Sequence, residues 1–372
     1  MRLNVLKAYL FKEFIELFRS KLLTIVYIMP TMILLLFGYG IKMEVTHART
    51  LVIDNDQSTF SRLLVSKFEH SKYFDTIVKH LSETEALHRI KQAKTDIVII
   101  IPSSMERRLL HGQKSEIGVF VDGAFPTRAV TMQNYVEGVI LDTTKELARK
   151  KLTTKALIVI NQRTLFNQAM RDEDAIVPGL IGLVMLVAPA ILAALLIVKE
   201  KEQGTIFNFY ASPLRRSEFL IAKLLPVFLL HSFNVFILYL WARYLFEVPF
   251  RGSFLLYLAA SELYILVSIG IGLLISIVTS RQIVAVILTV IITIIPGFLY
   301  SGMLMPISSM EGESYIEAHL FPVMYYTHIV YDTFLIGQGL DSPKNLLYLG
   351  ILALYGTVLL LLGSAFLKKE LK

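Results

Sequence analysis

The chain has 372 residues, 55% of them hydrophobic, and 37 Lys and Arg against 30 Asp and Glu, for a net charge of +7. That much apolar side chain exceeds what a soluble fold of this length hides, whereas a bilayer solvates it directly. The lack of cysteine excludes disulfides, thiolate metal sites and cysteine nucleophiles, and the basic residues stand in short clusters beside apolar segments, where they set membrane orientation rather than hold nucleic acid.

Residues 1–21 place Val5, Leu6, Tyr9, Leu10, Phe14, Leu17 and Phe18 at three- and four-residue spacing, with Lys7, Lys12, Glu13, Glu16 and Arg19 between them. This predicts an amphipathic helix lying in the inner membrane interface; a plain extension of the first span is the alternative. Residues 22–41 carry no charge and form the first crossing. They start too far into the chain, and lack the small-residue cleavage site, for a removed signal peptide.

The next segment, 42–174, is mostly polar, which places a water-soluble domain between the first crossing and the rest. Apolar β-branched runs at 51–54, 74–79, 97–101 and 117–121 alternate with helical patterns at 58–69, 83–91 and 103–111, predicting a small α/β domain with a mixed sheet. Ser82 and Ser103 are the expected N-caps. From 126 to 170 the pattern is helical and leads back to the membrane. Asp54, Asn55, Asp56, Ser58, Asp122 and Gly123 follow strands; such residues hold cations but are equally what turns require, and the turn reading is taken, with no metal site. His47, His70, His80, His88 and His111 lack zinc spacing.

Five further apolar segments, 175–198, 224–246, 254–278, 283–300 and 346–367, bring the expected crossings to six. Basic clusters before the first span (Lys7, Lys12, Arg19, Lys21), between the second and third (Lys199, Lys201, Arg215, Arg216, Lys223), at Arg281, and at Lys368, Lys369 and Lys372 then fall on one side. Both termini are expected in the cytoplasm and 42–174 outside. The fold class expected is an α-helical polytopic membrane protein with six transmembrane helices and an inserted extracytoplasmic α/β domain. Pro30, Pro178, Pro189, Pro226 and Pro296 predict kinks within a helix bundle. Glu262 lies inside the fourth span, about 12 Å from its outer end by helical rise; Arg243 or Tyr239 is its expected neighbour, and pairing or substrate contact its expected role. His231 and Asn234 are expected to bond between helices.

The loop after the second span reads Lys199-Glu200-Lys201-Glu202-Gln203-Gly204-Thr205-Ile206-Phe207-Asn208-Phe209-Tyr210-Ala211-Ser212-Pro213-Leu214. Gly204 leaves helical geometry cheaply, Thr205 is the expected cap of a stub helix, and Ser212 with Pro213 the expected start of the next helix. Phe207, Phe209 and Tyr210 would then face cytosol unless a partner or lipid covers them. This loop resembles that of the permease subunits of ABC-2 type ATP-binding cassette exporters, with Ala222 replacing the glycine that the family carries before the lysine matched by Lys223. The run Ser301-Gly302-Met303-Leu304-Met305-Pro306 resembles the family's outer motif, with Glu311 where a proline is usual, and Pro322, Tyr326 and Gly337 continue it.

The resemblance implies a coupling loop, 199–223, that docks in a separate ABC ATPase subunit through Glu200, Glu202, Gly204, Thr205, Phe207, Phe209, Tyr210, Ser212 and Pro213. It implies a dimer with a second or homologous permease copy, and an outer re-entrant segment, 301–343, whose short helices at about 308–336 gate exit. Ser301, Gly302, Pro306, Pro322 and Tyr326, with Glu262, are the gate and translocation candidates. No phosphate-binding loop occurs, since Gly112-Gln113-Lys114-Ser115 has neither the spacing nor the context. The chain is therefore expected to be no enzyme and to bind no cofactor, with ATP consumed by the partner. The expected function is the permease half of a bacterial inner-membrane exporter for hydrophobic or amphipathic drug- or lipid-like compounds, with membrane lipids and a periplasmic adaptor as further partners and no nucleic acid. A sodium or polysaccharide exporter, or a membrane-anchored envelope sensor or assembly factor, is the alternative.

Overall fold

The computed structural model describes residues 2–20, 22–40, 45–92, 94–111, 113, 115–123, 126–151, 171–212, 214–303, 307 and 310–367. The chain divides into two compact units, one of Met1–Ile41 with Arg163–Lys372 and one of Lys42–Gln162.

The second unit is a four-stranded sheet of β1 (Ala48–Asp54), β2 (Phe74–Val78), β3 (Ile97–Ile101) and β4 (Gly118–Val121) in the order β2-β1-β3-β4. β1 runs parallel to β2 and β3, and β4 is antiparallel to β3. The central strands are apolar on both faces because both are covered. Val52, Ile97, Ile99 and Ile101 pack with Phe60, Leu64 and Phe68 of α3 (Thr59–Glu69) and with Met132 and Val136 of α6 (Pro126–Lys151). Leu51, Ile53 and Val98 meet Ala86 of α4 (Glu83–Lys91) on the opposite face. The expected return helix beyond residue 151 lies outside the described residues.

Ser82 caps α4 as its sequence predicts, in a capping box with Glu85. Ser103 does not cap the next helix, α5 (Met105–Leu110). The Asp56 carboxylate does so instead, accepting from Met105 N at 2.8 Å and Glu106 N at 3.1 Å. Glu106 Oε2 in turn accepts from Thr59 N at 3.0 Å at the start of α3, so two helix N-termini, each with unsatisfied N–H groups, exchange carboxylates. Asp54 Oδ1 closes the strand-end turn on the amides of Asp56 and Gln57, both at 3.0 Å.

The membrane unit holds five helices long and apolar enough to cross a bilayer among the described residues. They are α7 (Asp172–Glu202), α9 (Arg216–Leu240) extended by a wide turn over Trp241–Leu245, α10 (Phe254–Val278), α11 (Gln282–Leu299) and α14 (Pro343–Phe366). α1 (Arg2–Arg19) and α2 (Leu22–Gly40) precede the sheet, and in α2 the described apolar stretch is Tyr27–Gly40. Short helices α8 (Ile206–Ala211), α12 (Glu313–Leu320) and α13 (Pro322–Tyr331) complete the unit, the last followed by a second wide turn, Asp332–Ile336.

α7 is buried along nearly its whole length, with α2, α9, α10, α11 and α13 packed around it. Small residues allow this close approach, as lipid supplies no hydrophobic drive between helices. A Cβ on Gly272 of α10 would collide with the Ala190 carbonyl, and one on Gly182 of α7 with the Thr327 methyl. Pro189 cannot bond the carbonyl of Met185 four residues earlier; Ser268 Oγ of α10 donates to it at 2.8 Å. That is how a proline kink is tolerated in a membrane helix.

In the α/β unit, Asp96 is buried and bonds Arg49 three times, Oδ2 accepting from N at 2.9 Å and Nε at 3.0 Å, and Oδ1 from a terminal guanidinium nitrogen at 2.7 Å. The Arg49 side chain holds the Asp96 carboxyl below the usual carboxylate range. A lowered native value means that this stabilisation is complete above the unfolded value, roughly pH 4, and is lost as pH falls through the lowered one. Asp96→Ala is expected to lower the urea midpoint for proteolysis of this unit at neutral pH. The gap from wild type should narrow at roughly pH 2; an equal gap at both pH values would refute the ionic contribution.

Candidate functional site

α7 ends in a turn that only an unusual backbone makes: Gly204 has φ +73°, a region glycine enters without steric cost. The chain then forms α8, whose Ile206 and Phe209 are buried. Phe209 stacks on Phe219 of α9 with ring centroids 4.1 Å apart, and Phe219 also meets Tyr9 of α1 at 6.2 Å. Phe207 is 54% exposed, and Tyr210 is half-buried with its ring edge-on to Phe207 at 5.9 Å. The expected exposed face of three rings is therefore corrected: Phe209 anchors the stub inward and Phe207 projects.

The expected caps are also corrected. Thr205 is itself helical and makes no side-chain cap bond. Ser212 Oγ donates to the Phe209 carbonyl at 2.7 Å, closing α8 rather than opening α9. α9 starts at Arg216, where the Glu218 carboxylate accepts from Arg215 N at 2.7 Å. Pro213 lies outside the described residues.

Four consecutive charges at the end of α7 each reach a different helix. Lys199 Nζ bonds Glu16 of α1 at 2.9 Å. Glu200 Oε1 pairs with Lys223 of α9 at 2.5 Å, and Lys223 also pairs with Glu13 of α1 at 2.7 Å. Lys201 Nζ donates to the carbonyls of Ser276, Ile277 and Thr279 at the end of α10. Glu202 Oε2 accepts from Gln282 N at 2.9 Å and Nε2 at 2.8 Å at the start of α11. Glu200 is thus turned inward rather than toward a docking surface, while Glu202 stays exposed.

The side chains of Lys223, Glu13 and Glu200 are only 2%, 3% and 10% exposed. Taking charges out of water costs several kcal/mol per ion, repaid here by one ammonium held between two carboxylates. Burial, and then the Glu200, Glu13 and Glu16 carboxylates, push the Tyr9 hydroxyl upward, so it stays protonated beside them. The sequence pattern placed Glu13 among the polar positions of α1 and Lys223 in a basic cluster, and gave no sign that the two pair across 210 residues.

The second group of candidate residues follows α11. Ser301 and Gly302, the latter at φ +76°, start the connection. The Ser301 carbonyl accepts from Thr327 Oγ1 of α13 at 2.7 Å. Pro322 occupies the first turn of α13. Tyr326 is fully buried, stacks on Tyr264 of α10 with ring centroids 4.1 Å apart, and exchanges a hydrogen bond with Ser261 at 2.9 Å. Pro306 lies outside the described residues, and the expected helix from 308 starts at Glu313.

Glu262 of α10 has neither expected neighbour; Oε2 accepts from Ser232 Oγ of α9 at 2.6 Å. Tyr239 instead joins a ring cluster with Phe250, Phe254, Tyr257 and Phe334. His231 Nδ1 bonds within α9 to the Val227 carbonyl at 2.9 Å. Its Nε2 and both amide atoms of Asn234 have no hydrogen-bond partner among the described residues, which corrects the expected interhelical bonds.

Lys223→Met should leave Glu200 without its ion-pair partner and Glu13 with only the exposed Lys12 ammonium at 3.4 Å, costing about 3–5 kcal/mol. Adding Glu13→Gln and Glu200→Gln should recover most of that loss. Thermal unfolding of the detergent-solubilised protein reads both; a single variant as stable as wild type would refute the burial of an ionised cluster.

Residues 21–365 match the family model described as ABC-2 family transporter protein. The probable multidrug ABC transporter permease YbhS of Escherichia coli strain K12 is 27% identical over 345 residues, covering 92% of this chain and 90% of that protein. YbhR of the same strain, with the same description, is 26% identical over 340 residues, 91% of each. The inner membrane transport permease YhhJ, also of that strain, is 22% identical over 319 residues, 83% of each. With the family model spanning nearly the entire length and apolar helices packed around α7, the chain belongs to the ABC-2 family of transporter proteins and is a membrane permease.

Proposed function

We propose that this permease is an exporter subunit that dimerises, crosses the bacterial inner membrane six times with both termini in the cytoplasm, and moves hydrophobic or amphipathic, drug- or lipid-like molecules. A separate ATPase drives it, and α8 is the element that docks in that ATPase. The observation carrying this reading is Phe207, an exposed aromatic ring on a stub whose second phenylalanine, Phe209, is buried against Phe219. A ring held out into water by a braced helix is the form of an interface anchor. The sequence has no loop able to cradle ATP phosphates, so the energy source sits on another chain. The multidrug descriptions of YbhS and YbhR favour drug-like cargo.

The two rings separate docking from folding. Phe207→Ala should lower ATPase recovery on co-purification and reduce transport, by about 2–4 kcal/mol of interface energy, with thermal stability retained. Phe209→Ala should instead lower stability, by about 3–5 kcal/mol, because it empties a packed site. Undiminished ATPase recovery and transport with Phe207→Ala would sink the docking role.

Orientation has its own check in this cysteine-free chain. Asn55→Cys should react with an impermeant thiol reagent on intact cells, and Ser217→Cys should not; the reverse pattern would overturn the assignment of sides.

A further inference from the structure

The turn between α10 and α11 is held on its two sides by two adjacent residues of α7. Glu202 takes the backbone and side-chain N–H groups of Gln282, satisfying orphan donors at the positive end of α11. Lys201 takes the last carbonyls of α10, the matching contact at a negative helix end. Both lie within three residues of Gly204, where the chain turns into α8.

Between its ends α11 is held differently. Its buried positions are Ala285, Thr289, Thr293, Pro296 and Gly297. The two threonine hydroxyls bond back to carbonyls of α11 itself, at 2.7 and 2.6 Å. Among the described residues no side-chain hydrogen bond crosses from the middle of α11 to α7 or α10. At the far end polar contacts resume: Tyr300, next after α11, bonds Glu317 of α12 and stacks on Phe321 at 5.2 Å, and the Ser301 carbonyl takes Thr327 of α13. α11 is a rod of about 27 Å, fastened by directional bonds at its two ends and by apolar packing between them.

We propose that the Glu202–Gln282 contact is the joint through which displacement of α8 reaches α12 and α13, with α11 as the connecting rod and Gln282 as a positioning residue. The inference rests on the coupling role of α8 argued above. It assigns Glu202 to α11 rather than to the ATPase surface. A rod of this kind transmits axial movement because its end bonds have one geometry each, whereas the face between them has no bond to break when it slides.

The test uses the full permease with its ATPase and a Glu313→Cys reporter at the start of α12, in a chain with no other cysteine. The rate of modification by an impermeant maleimide is measured with and without a non-hydrolysable ATP analogue. In the parent the analogue should change the rate about fivefold or more. Gln282→Ala and Glu202→Ala should each abolish most of that change and lower transport per ATP hydrolysed about tenfold, with ATPase recovery and thermal stability retained. The double variant should be no worse than Glu202→Ala alone, since both sever one contact. An unaltered nucleotide response in Gln282→Ala overturns the joint, as does a parent whose reporter ignores nucleotide. Loss of ATPase recovery with Glu202→Ala but not Gln282→Ala also overturns it and makes Glu202 a docking contact. Failure of the unmodified permease to retain any ATPase strikes the coupling reading itself, a separate result.

Discussion

A helix with no face left for lipid has to satisfy every polar group from within the protein, and α7 is that helix. Its uncharged length accepts neighbours on all sides, which makes it the axis of the membrane unit. The consequences appear where its regularity fails. At Pro189 a carbonyl is freed and Ser268 takes it; at its C-terminal end four charges must leave the helix, and each finds a different partner helix. An unsatisfied group at either place costs about 1–3 kcal/mol, more when charged. The positions of α1, α9, α10 and α11 around α7 are therefore set by bonds at its end as much as by packing along its length.

The stub α8 inherits its direction from this end. Gly204 permits the turn, while Phe209 against Phe219 fixes where the six-residue helix lies. A helix this short is not stable by itself, so its rigidity is borrowed from the aromatic stack and from the ionic cluster beneath it. A partner pressing on α8 would therefore move a braced lever rather than a loose loop, and a conformational change needs such differential contacts to be driven at all.

Much of this architecture is legible in the sequence because its signals are local. The helix at 83–91 and the strand at 97–101 lie where apolar patterning puts them, and Ser82 followed by Glu85 is a cap readable from spacing alone. Five of the six long apolar runs fall on the five long apolar helices among the described residues for the same reason, as lipid tolerates almost nothing else. What the sequence hides is pairing across distance. Ser232 is an ordinary small polar residue until α9 sets it against Glu262, and Glu13 reads as part of a wet helix face until Lys223 arrives from α9. Phe207 and Phe209 are chemically alike and two positions apart, so only the backbone turn at Gly204 decides which one points inward. Asp56 looked like turn chemistry and turned out to cap a helix 49 residues away.

The distribution of bond types follows a pattern with a physical rationale. Buried ion pairs are poor at raising stability, because apolar residues of equal volume fill the same space without a desolvation penalty. What they provide is a single geometry: Lys223 between two carboxylates tolerates little displacement, whereas Gly and Ala contacts along helix faces change little when helices slide. Along α11 the directional bonds lie at the two ends, with apolar packing between them, whereas α10 is bonded to α7 and α9 along its length through Ser268 and Glu262. A helix held for rigidity alone would be cross-linked along its length, as α10 is. For α11, fixing the ends and leaving the middle without cross-helix hydrogen bonds favours movement of the whole helix over bending within it.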